Sequence, residues 1–516
     1  MGDLVRDLEA GSEELIETHI SWVFLRSGEV FKLKKPVDFG FLDFTAPSSR
    51  HAACLSEVEL NSRLAPGVYR GVLPVWRDRG GVHHVGGECE GEVVDHVVHM
   101  ARLPLEARAD LRLERGELGV DDIDRIAGCL ARFHARAERN PSIAEFGAVE
   151  VIRRNVEENF AQAASTLRLL APEGLEREVE QRQLDFTQQN EALFARRIEG
   201  GFVRDGHGDL RLEHVYLVPE RAPIIIDCIE FNQRFRYADV CADLAFLSMD
   251  LGWHGRHDLK ERLLAVYARE AGDHDLYALV DFYESYRAYV RAKVSALSLP
   301  SCASSAARDE LAAKARRYLL VALAAERPAL APPRLIAVAG KIGSGKSSVA
   351  EALSRRFDAP VIGSDITRKQ LLGVTPTTPL RHDPWARAYS QEVTQRVYSE
   401  LMRRARVVLG SGRSVILDAT FASRADREAA RRAAQTAGVA FTLVECKVSD
   451  DVARARLAAR AEGQSVSDGR LEIYADLAAR YEAVTELPPD EHVVLDTGGP
   501  LERSLEALDR AAPSGR

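Results

Sequence analysis

The segment LIAVAGKIGSGKSSVA, at residues 335–350, constrains the fold of this chain more than any other part of its sequence. Its apolar start, Leu335 to Ala339, indicates a buried parallel strand. The run GKIGSGKS that follows fits the pattern G-x-x-x-x-G-K-[ST], in which glycines let backbone N–H groups surround a phosphate. A helix beginning near Lys346 would direct its positive end at the same point. The sequence therefore predicts an α/β P-loop NTPase domain with a parallel sheet.

This loop supplies the first group of candidate binding residues. Lys346 is expected to reach the β- and γ-phosphates of a nucleotide, and the Ser347 hydroxyl is expected to be a ligand of Mg²⁺. ATP and Mg²⁺ are thus the expected cofactors, with GTP left open as the nucleotide. The nucleotide-binding candidates of this half are Gly340, Lys341, Ile342, Gly343, Ser344, Gly345, Lys346, Ser347 and Ser348.

Composition and charge argue against several classes of protein. The 516 residues are 46% hydrophobic and 28% charged, which is typical of a globular protein with about two to four domains. The seven cysteines are scattered, odd in number and free of C-x-x-C pairs, so neither a disulfide framework nor a zinc site is expected. A net charge of −9 argues against nucleic acid as a partner.

The apolar runs of the chain argue against a membrane location. The opening MGDLVRDLEAGSEE has acids where a signal peptide needs basic residues and then an apolar run. No apolar run approaches the ~18 residues that a membrane helix requires. We therefore expect a cytoplasmic protein with a small-molecule substrate, and the sequence does not predict the oligomeric state.

The proline-rich segment ERPALAPPR indicates a linker, because its three prolines end the helical pattern before it. We expect domains at 1–325 and 335–516, separated by this linker at 326–334. In the first domain strand patterns come early and helical patterns later, which favours an α+β protein with a β-rich and an α-rich lobe. The expected strands are at 21–37 (a hairpin), 71–76 and 93–100, and the expected helices at 51–64, 121–137, 145–198 and 258–325.

Two aspartates in the first half follow short apolar or loop segments. Asp209 lies in GHGDLRLEHVYL, and Asp227 directly follows Ile224-Ile225-Ile226. Phosphoryl transfer uses such a pair, since one carboxylate orients the acceptor hydroxyl and the other holds Mg²⁺. Taken alone, such a pair is more often two ordinary loop aspartates.

These segments resemble the aminoglycoside-phosphotransferase-like family of protein-kinase-like enzymes. HGDLRLEHVYL is similar to the catalytic loop of that family, IIIDCIEF to its metal-binding segment, and LARFH (130–134) to a helix of its large lobe. The resemblance implies a bilobal protein-kinase-like domain in which Asp209 is the catalytic base and Asp227 a metal ligand. It also implies that Asp243 braces the loop and that a strand lysine, paired with Glu57, grips the nucleotide phosphates.

Two positions depart from the family pattern. His214 stands where the family has asparagine, which puts a second Mg²⁺ site in doubt. The phosphate-binding lysine is either Lys32 or Lys34, which share one face of a strand, and Lys32 is preferred. An active kinase and a pseudokinase that only binds ligand therefore both stay open for this half.

Two acids follow further strand patterns in the second half. APVIGSDITRKQL predicts a strand that ends at Asp365, with Arg368 one helical turn later. It resembles the corresponding segment of the P-loop kinase group that holds polynucleotide kinases and zeta toxins. The resemblance implies that Asp365 is a catalytic base and that Arg368 binds substrate. Asp418, the acid that ends the strand SVILD, is expected to bind Mg²⁺ through water or to contact the substrate.

The arginines of VARARLAAR are similar to those of the mobile lid in such kinases. Arg456 and Arg460 lie four residues apart on one helix face, so both could neutralise phosphate charge. An arginine-rich solvated helix is the competing interpretation.

The sequence thus predicts an ATP-dependent phosphotransferase with two kinase-like modules that act on hydroxyls of small metabolites, of a sugar or nucleoside type. A regulatory ATP-binding protein with a ligand-sensing pseudokinase half is the first alternative. A nucleic-acid end kinase is the second.

Overall fold

The computed structural model describes residues 1–38, 40, 42–87, 90–302, 304–325, 332–375, 378, 387–460 and 469–501. Contacts among them divide the chain into two compact units. The first unit contains residues 1–256 and 282–325, and the second contains residues 257–281 and the described residues from 332 onward. The predicted linker at 326–334 lies outside the described residues as far as residue 331.

The first unit begins with a six-stranded antiparallel sheet. The strand order is β1-β2-β3-β6-β4-β5. The predicted hairpin corresponds to β2 and β3, which pair from Ser21↔Lys34 to Arg26↔Glu29. The strands are β1 (Glu14–Glu17), β2 (Ser21–Arg26), β3 (Glu29–Lys34), β4 (Tyr69–Asp78), β5 (His83–Val85) and β6 (Gly91–Ala101).

The helices up to residue 325 confirm the helical patterns that the sequence predicts there. As far as Ala325 the helices are α1 (Gly2–Glu9), α2 (Pro47–Ser62), α3 (Ala109–Glu114), α4 (Val120–Arg136), α5 (Pro141–Ala144), α6 (Val149–Leu170), α7 (Leu175–Gln189), α8 (Glu191–Glu199), α9 (Gln233–Arg236), α10 (Val240–Trp253), α11 (His257–Ala271), α12 (Val280–Leu297) and α13 (Ser305–Ala325). Short antiparallel pairs join β7 (Val203–Asp205) to β10 (Tyr237–Asp239) and β8 (Val215–Tyr216) to β9 (Ile224–Ile225).

Alternation along β3 explains how the sheet carries charged side chains into the site. Phe31 and Leu33 pack against α1 on one face of the sheet. Val30 packs against α2 on the opposite face. Because side chains alternate along a strand, Lys32 and Lys34 project to the same face as Val30, toward α2.

The second unit is built on a five-stranded sheet in which every pairing is parallel. The order is β12-β13-β11-β14-β15, so the strand before the P-loop lies at the centre. The strands are β11 (Arg334–Ala339), β12 (Val361–Gly363), β13 (Val415–Asp418), β14 (Ala440–Lys447) and β15 (His492–Asp496). The remaining helices are α14 (Lys346–Phe357), α15 (Ser364–Leu371), α16 (Gln391–Gly410), α17 (Arg424–Thr436), α18 (Asp450–Arg460) and α19 (Tyr474–Ala479). The predicted parallel sheet and P-loop helix are thus confirmed.

Residues 257–281 belong to the second unit although they precede the predicted linker. The reason is a set of ion pairs within that unit. Arg413 bonds Glu261 at 2.8 Å and Asp281 at 2.8 Å, and Arg262 bonds Glu351 at 2.6 Å. The predicted boundary follows chain order, whereas the fold recruits an earlier segment into the P-loop unit.

The position of Asp365 differs from the one that the sequence predicts. The strand expected to end at Asp365 ends at Gly363, and Asp365 lies in the first turn of α15. A carboxylate is favourable there because the first turn of a helix carries the positive end of its dipole. Within the described ranges, no helix is both long and apolar enough to cross a membrane.

Candidate active sites

Lys32 forms the centre of the candidate site in the first unit. Its ammonium bonds Glu57 Oε1 at 2.8 Å and Asp227 Oδ1 at 2.6 Å. Glu57 reaches it from α2, where Cys54, Glu57 and Asn61 form the buried face that packs on the sheet. The three side chains that the family resemblance assigned to nucleotide and metal therefore lie in direct contact.

Lys34 forms a second, fully buried pair beside the first. It donates to the other oxygen of Glu57 and to Glu230. The Lys34 side chain is 0% exposed, whereas that of Lys32 is 12% exposed, so of the two lysines only Lys32 reaches the surface. The geometry favours Lys32, as preferred from the sequence. Glu230 was not identified in advance, although its place three residues after Asp227 is a signal that could have found it.

Opposite charges keep this cluster ionised. Burial alone would lower the pKa of Lys32, but the carboxylates of Asp227 and Glu57 raise it well above its usual value. Burial would raise the pKa of Asp227, yet Lys32 and His214 hold it far below its usual range. At Glu230 the effect of burial is larger than that of the Lys34 charge, and the pKa is raised. Asp227 also has φ 66°, a strained conformation for a non-glycine residue and one that clusters at functional sites.

The loop that carries Asp209 is held from beneath by α10. Asp243, buried on this helix, accepts hydrogen bonds from the backbone N–H of His207 at 2.6 Å and of Gly208 at 2.8 Å. One oxygen of Asp243 also lies 3.4 Å from His134 Nε2, in the LARFH segment. The bracing role expected for Asp243 is confirmed. Seven residues later, Asp250 accepts from Leu212 N at 2.9 Å and holds the other end of the loop.

Asp209 itself is held by a neighbour within the loop. Arg211 donates to its two oxygens at 3.2 and 2.9 Å. Burial would raise the pKa of Asp209, but the charges of Arg211 and His214 lower it far below its usual range. The carboxylate is therefore ionised, which is the state that its predicted role as a base requires. The sequence reasoning assigned no role to Arg211, although it lies in the quoted motif.

His214 lies between the two candidate catalytic aspartates. Its Nδ1 must donate to the Asp209 carbonyl at 2.7 Å, because a carbonyl oxygen only accepts. Nε2 then faces Asp227 Oδ2 at 3.7 Å and the guanidinium of Arg211 at 3.4 Å. With histidine in place of asparagine, a polar atom is still directed at Asp227, the predicted metal ligand.

The residues of this site fit one Mg²⁺ rather than a protein-only metal cage. Mg²⁺ is usually bound by one or two carboxylates together with substrate phosphates. The Asp227 side chain is 46% exposed and could supply such a ligand. In the part of the chain that the structure describes, no three His, Cys, Asp or Glu side chains are grouped to hold a metal by themselves.

Two glycines of the P-loop are required by the packing of the loop against its neighbours, in addition to leaving its N–H groups open to a phosphate. Gly340 and Gly343 have φ of 142° and 79°. A Cβ at Gly340 would lie 2.5 Å from the Cys446 carbonyl, and one at Gly343 would lie 2.8 Å from the Ala453 carbonyl. The loop is therefore pressed against β14 and α18. Lys346 reaches back to the carbonyl of Lys341, at 2.8 Å.

The carboxyl ends of β11, β12 and β13 bring Asp418 and Asp365 close to the P-loop. Asp418 pairs with Val338 of β11 and with Gly363 of β12, so it lies beside both the start of the P-loop and the start of α15. Asp365 is the second residue of α15 and receives a hydrogen bond from Tyr389 at 3.4 Å. The carboxyl ends of parallel strands are where open α/β sheets bind their ligands.

Arg368 lies deeper than a substrate-binding role suggests. It is 4% exposed and donates to the Ala388 carbonyl at 2.6 Å, while its guanidinium stacks on Tyr389 at 4.1 Å. The protein itself thus occupies much of this guanidinium. Its contact with substrate remains a prediction.

The lid arginines are described only in part. Arg456 lies beside the P-loop, since a Cβ at Gly345 would be 3.3 Å from its Nη1, and it donates to the Thr497 carbonyl at 2.6 Å. The side chain of Arg460 and the loop 461–468 lie outside the described residues. Thr497, which sequence reasoning missed, donates its hydroxyl to the Ser344 carbonyl at 2.6 Å. Its only sequence signal is its place directly after the last strand.

Solved structures are similar to parts of this chain. A gluconokinase from Sinorhizobium meliloti 1021 is 20% identical with a TM-score of 0.26, over 35% of this chain and 91% of that chain. A choline/ethanolamine kinase family protein from Mesorhizobium loti is 13% identical with a TM-score of 0.34, over 61% of this chain and 93% of that chain. At such low TM-scores the likeness by itself settles neither fold nor function.

Sequence relatives cover both units. A family model described as an AAA domain matches residues 335–484. The proteins named "Uncharacterized protein Rv2004c" of Mycobacterium tuberculosis and "Uncharacterized protein Mb2027c" of Mycobacterium bovis are each 38% identical over 491 residues, which is 95% of this chain and 93% of theirs. Residues 335–484 of the second unit are accordingly an AAA domain with a P-loop, and the whole chain belongs to the family of these mycobacterial proteins.

Proposed function

We propose that this chain is an ATP- and Mg²⁺-dependent phosphotransferase that phosphorylates hydroxyl groups of small metabolites of a sugar or nucleoside type. The observation that carries the proposal is the P-loop between β11 and α14, with Asp418 at the end of the adjacent strand β13 and Asp365 in the first turn of α15. A phosphate-binding loop next to two carboxylates can hold a triphosphate, a metal ion and an acceptor hydroxyl together.

In the second unit each residue has a defined task. Lys346 leaves the Lys341 carbonyl and, with the N–H groups of the loop, binds the β- and γ-phosphates. Ser347 and Asp418 would hold Mg²⁺, which supplies charge neutralisation of the phosphates. Asp365 orients the acceptor hydroxyl and takes its proton as the hydroxyl oxygen bonds to the γ-phosphorus and the bond to ADP breaks.

The first unit is proposed to be a second site with aminoglycoside-phosphotransferase-like chemistry. Lys32, fixed by Glu57, would bind the α- and β-phosphates, and Asp227 would hold Mg²⁺. Asp209 would orient the acceptor hydroxyl and accept its proton. Arg211 keeps that carboxylate ionised, and it must yield at least one of its two bonds for the hydroxyl to approach.

A ligand-sensing first unit is the second candidate. It is favoured by one feature: both aspartates are paired with cations of the protein, Asp209 with Arg211 and Asp227 with Lys32. In that case the first unit would bind Mg-nucleotide or metabolite without transferring phosphate. The P-loop unit would then carry all of the chemistry.

Transfer of labelled phosphate from ATP to a panel of sugars and nucleosides tests both candidates. Lys346→Ala and Asp365→Asn should each abolish the transfer that depends on the second unit, while Asp365→Asn keeps ATP affinity. The matched control is Lys447→Ala, because this lysine is 60% exposed and lies outside the loop. Unchanged turnover in Asp365→Asn would refute its role as base.

The first unit is tested separately with Asp209→Asn and Asp227→Asn, and with calorimetric counting of bound non-hydrolysable ATP. Two bound nucleotides in the wild type, with one lost in Asp227→Asn, would support a nucleotide site in this unit. Full transfer activity in Asp209→Asn, with both nucleotides still bound, would favour the sensing role. If the wild type binds one nucleotide and only Lys346→Ala loses it, the first unit has no nucleotide site. That result would exclude both phosphate transfer and nucleotide sensing by the first unit.

A further inference from the structure

A cavity of about 40 Å³ lies in the helical part of the first unit. One water needs roughly 10–15 Å³ by the same kind of measure, so the cavity has room for a group of several heavy atoms. Its wall is aromatic and basic, with residues from α6, α12 and the chain segment at 234–239. The residues that matter for its chemistry are Phe146, Arg234, Tyr237, Tyr283, Tyr286 and Arg287.

Arg287 is the group that most requires an explanation. It is 7% exposed, and its Nε donates a hydrogen bond to the Ala242 carbonyl at 3.2 Å. The guanidinium lies 4.9 Å from the ring of Phe246 and 5.8 Å from that of Tyr286. Among the described residues it forms no ion pair with a carboxylate. Burying a cation without an anionic partner is costly, so the position calls for an anion from elsewhere.

Two carboxylates near the cavity, Asp239 and Glu158, are already paired with arginines. Asp239 receives two hydrogen bonds from Arg197, both at 2.7 Å. Glu158 pairs with Arg234 at 2.6 Å. Neither acid is therefore available to balance Arg287.

A lysine near the cavity adds to the excess of positive charge. Lys293, one and a half helical turns after Arg287 on α12, donates to the amide oxygens of Asn159 and Gln162 rather than to a carboxylate. Burial lowers its pKa to about 8, with Glu158 opposing the change and Arg234 adding to it. Arg287 and Lys293 are thus two cations of α12 that form no ion pair within the described residues.

The cavity lies beside the support of the catalytic loop. Strand β10, which lines it, pairs with β7, and β7 runs directly into the loop at residues 206–209. The carbonyl of Arg236 accepts a hydrogen bond from Gly206 N at 3.1 Å. A molecule bound in the cavity would therefore press on the segment that fixes the position of Asp209.

We propose that this cavity binds the carboxylate or phosphate group of a small metabolite, with Arg287 as the anion-binding residue and the surrounding aromatic rings contacting the rest of the molecule. The planar guanidinium can form two parallel hydrogen bonds to either group. The inference goes beyond the proposed function, because it assigns the charge of a ligand and does not depend on phosphate transfer.

The test is calorimetric binding without nucleotide, on the full chain, with three probes that share a six-carbon sugar skeleton: glucose, gluconate and glucose 6-phosphate. The Lys346→Ala background is used to weaken phosphate binding at the P-loop. At least one anionic probe should bind at least tenfold more tightly than glucose, and comparing the two anions separates carboxylate from phosphate recognition. Equal binding of all three, or no binding by any, would overturn the proposal.

Arg287→Met should remove the preference for the anionic probe, and Arg287→Lys should keep part of it. Arg77→Met is the control, since this arginine is half exposed and paired with Glu92 on the sheet. Arg287→Met should also raise the melting temperature without ligand, because it removes an unpaired buried charge, whereas a purely structural arginine would give a loss. An anion preference that survives in both Arg287 variants would refute the assignment.

Discussion

Replacing Asp243 by asparagine should destabilise the first unit strongly. The carboxylate accepts from the N–H of His207 on one oxygen and from the N–H of Gly208 on the other, at 2.6 and 2.8 Å. An asparagine has only one accepting oxygen, so either orientation leaves an NH₂ group facing a backbone N–H. Each hydrogen bond to a charged group contributes ~1.5–3 kcal/mol, and the loss with the donor–donor contact should total about 3–4 kcal/mol.

Asp250→Asn is the matched control on the same helix. Asp250 accepts from one backbone donor, Leu212 N, and an asparagine oxygen can keep that bond. Burial raises the pKa of Asp250. At Asp243 burial acts in the same direction, but the hydrogen bond and charge of His134 lower the pKa far below its usual range. The ionised form of Asp250 is therefore less strongly favoured than that of Asp243. The loss of unfolding free energy in this variant should be under about 1 kcal/mol.

Urea unfolding followed by tryptophan fluorescence measures both variants. Trp22, Trp76 and Trp253 lie in the first unit, so three of the four tryptophans report on it. Hydrogen exchange over residues 203–214 should show faster exchange in Asp243→Asn. Equal losses in the two variants, or a loss below about 1 kcal/mol for Asp243→Asn, would refute the bracing argument.

Three further predictions concern stability and the P-loop. Acidification from pH 6.5 to about 4 should lower the unfolding free energy of the first unit, measured in urea titrations, by up to ~3 kcal/mol. The reason is that burial lowers the folded-state pKa of His207 from 6.5 to about 4, so only the unfolded state gains a proton in that range. A flat pH profile would contradict this. Thr497→Val should weaken nucleotide binding several-fold in calorimetry, since its hydroxyl holds the Ser344 carbonyl, while Thr497→Ser should not; equal affinities would count against it. Arg427→Met should lower the unfolding free energy of the second unit by about 3–5 kcal/mol, as it leaves Glu486 buried without its cation; an unchanged melting curve would exclude that.

The local patterns of the sequence were enough to predict much of the fold. Strand and glycine patterns predicted β11, the P-loop and α14, because each depends on neighbours within a few residues. The alternation along β3 placed Lys32 and Lys34 on one face for the same reason. A residue-by-residue comparison with a known motif located Asp209, Asp227 and Asp243.

The parts that the sequence could not predict are contacts between distant residues. Glu230 meets Lys34 across 196 positions, and Thr497 meets Ser344 across 153. No periodicity within a single sequence encodes such pairs, since they form only when separate elements pack together. The same holds for residues 257–281, whose ion pairs with the second unit outweigh their place in the chain.

The sequence by itself therefore determined which chemical groups are present and which face of each local element carries them. The tertiary structure decided how those groups are paired: Lys32 rather than Lys34 is partly exposed, Asp209 is held by Arg211, and Arg287 forms no ion pair among the described residues. The physical reason is that charge balance in a protein interior depends on which side chains are buried together, and burial is a property of the whole fold.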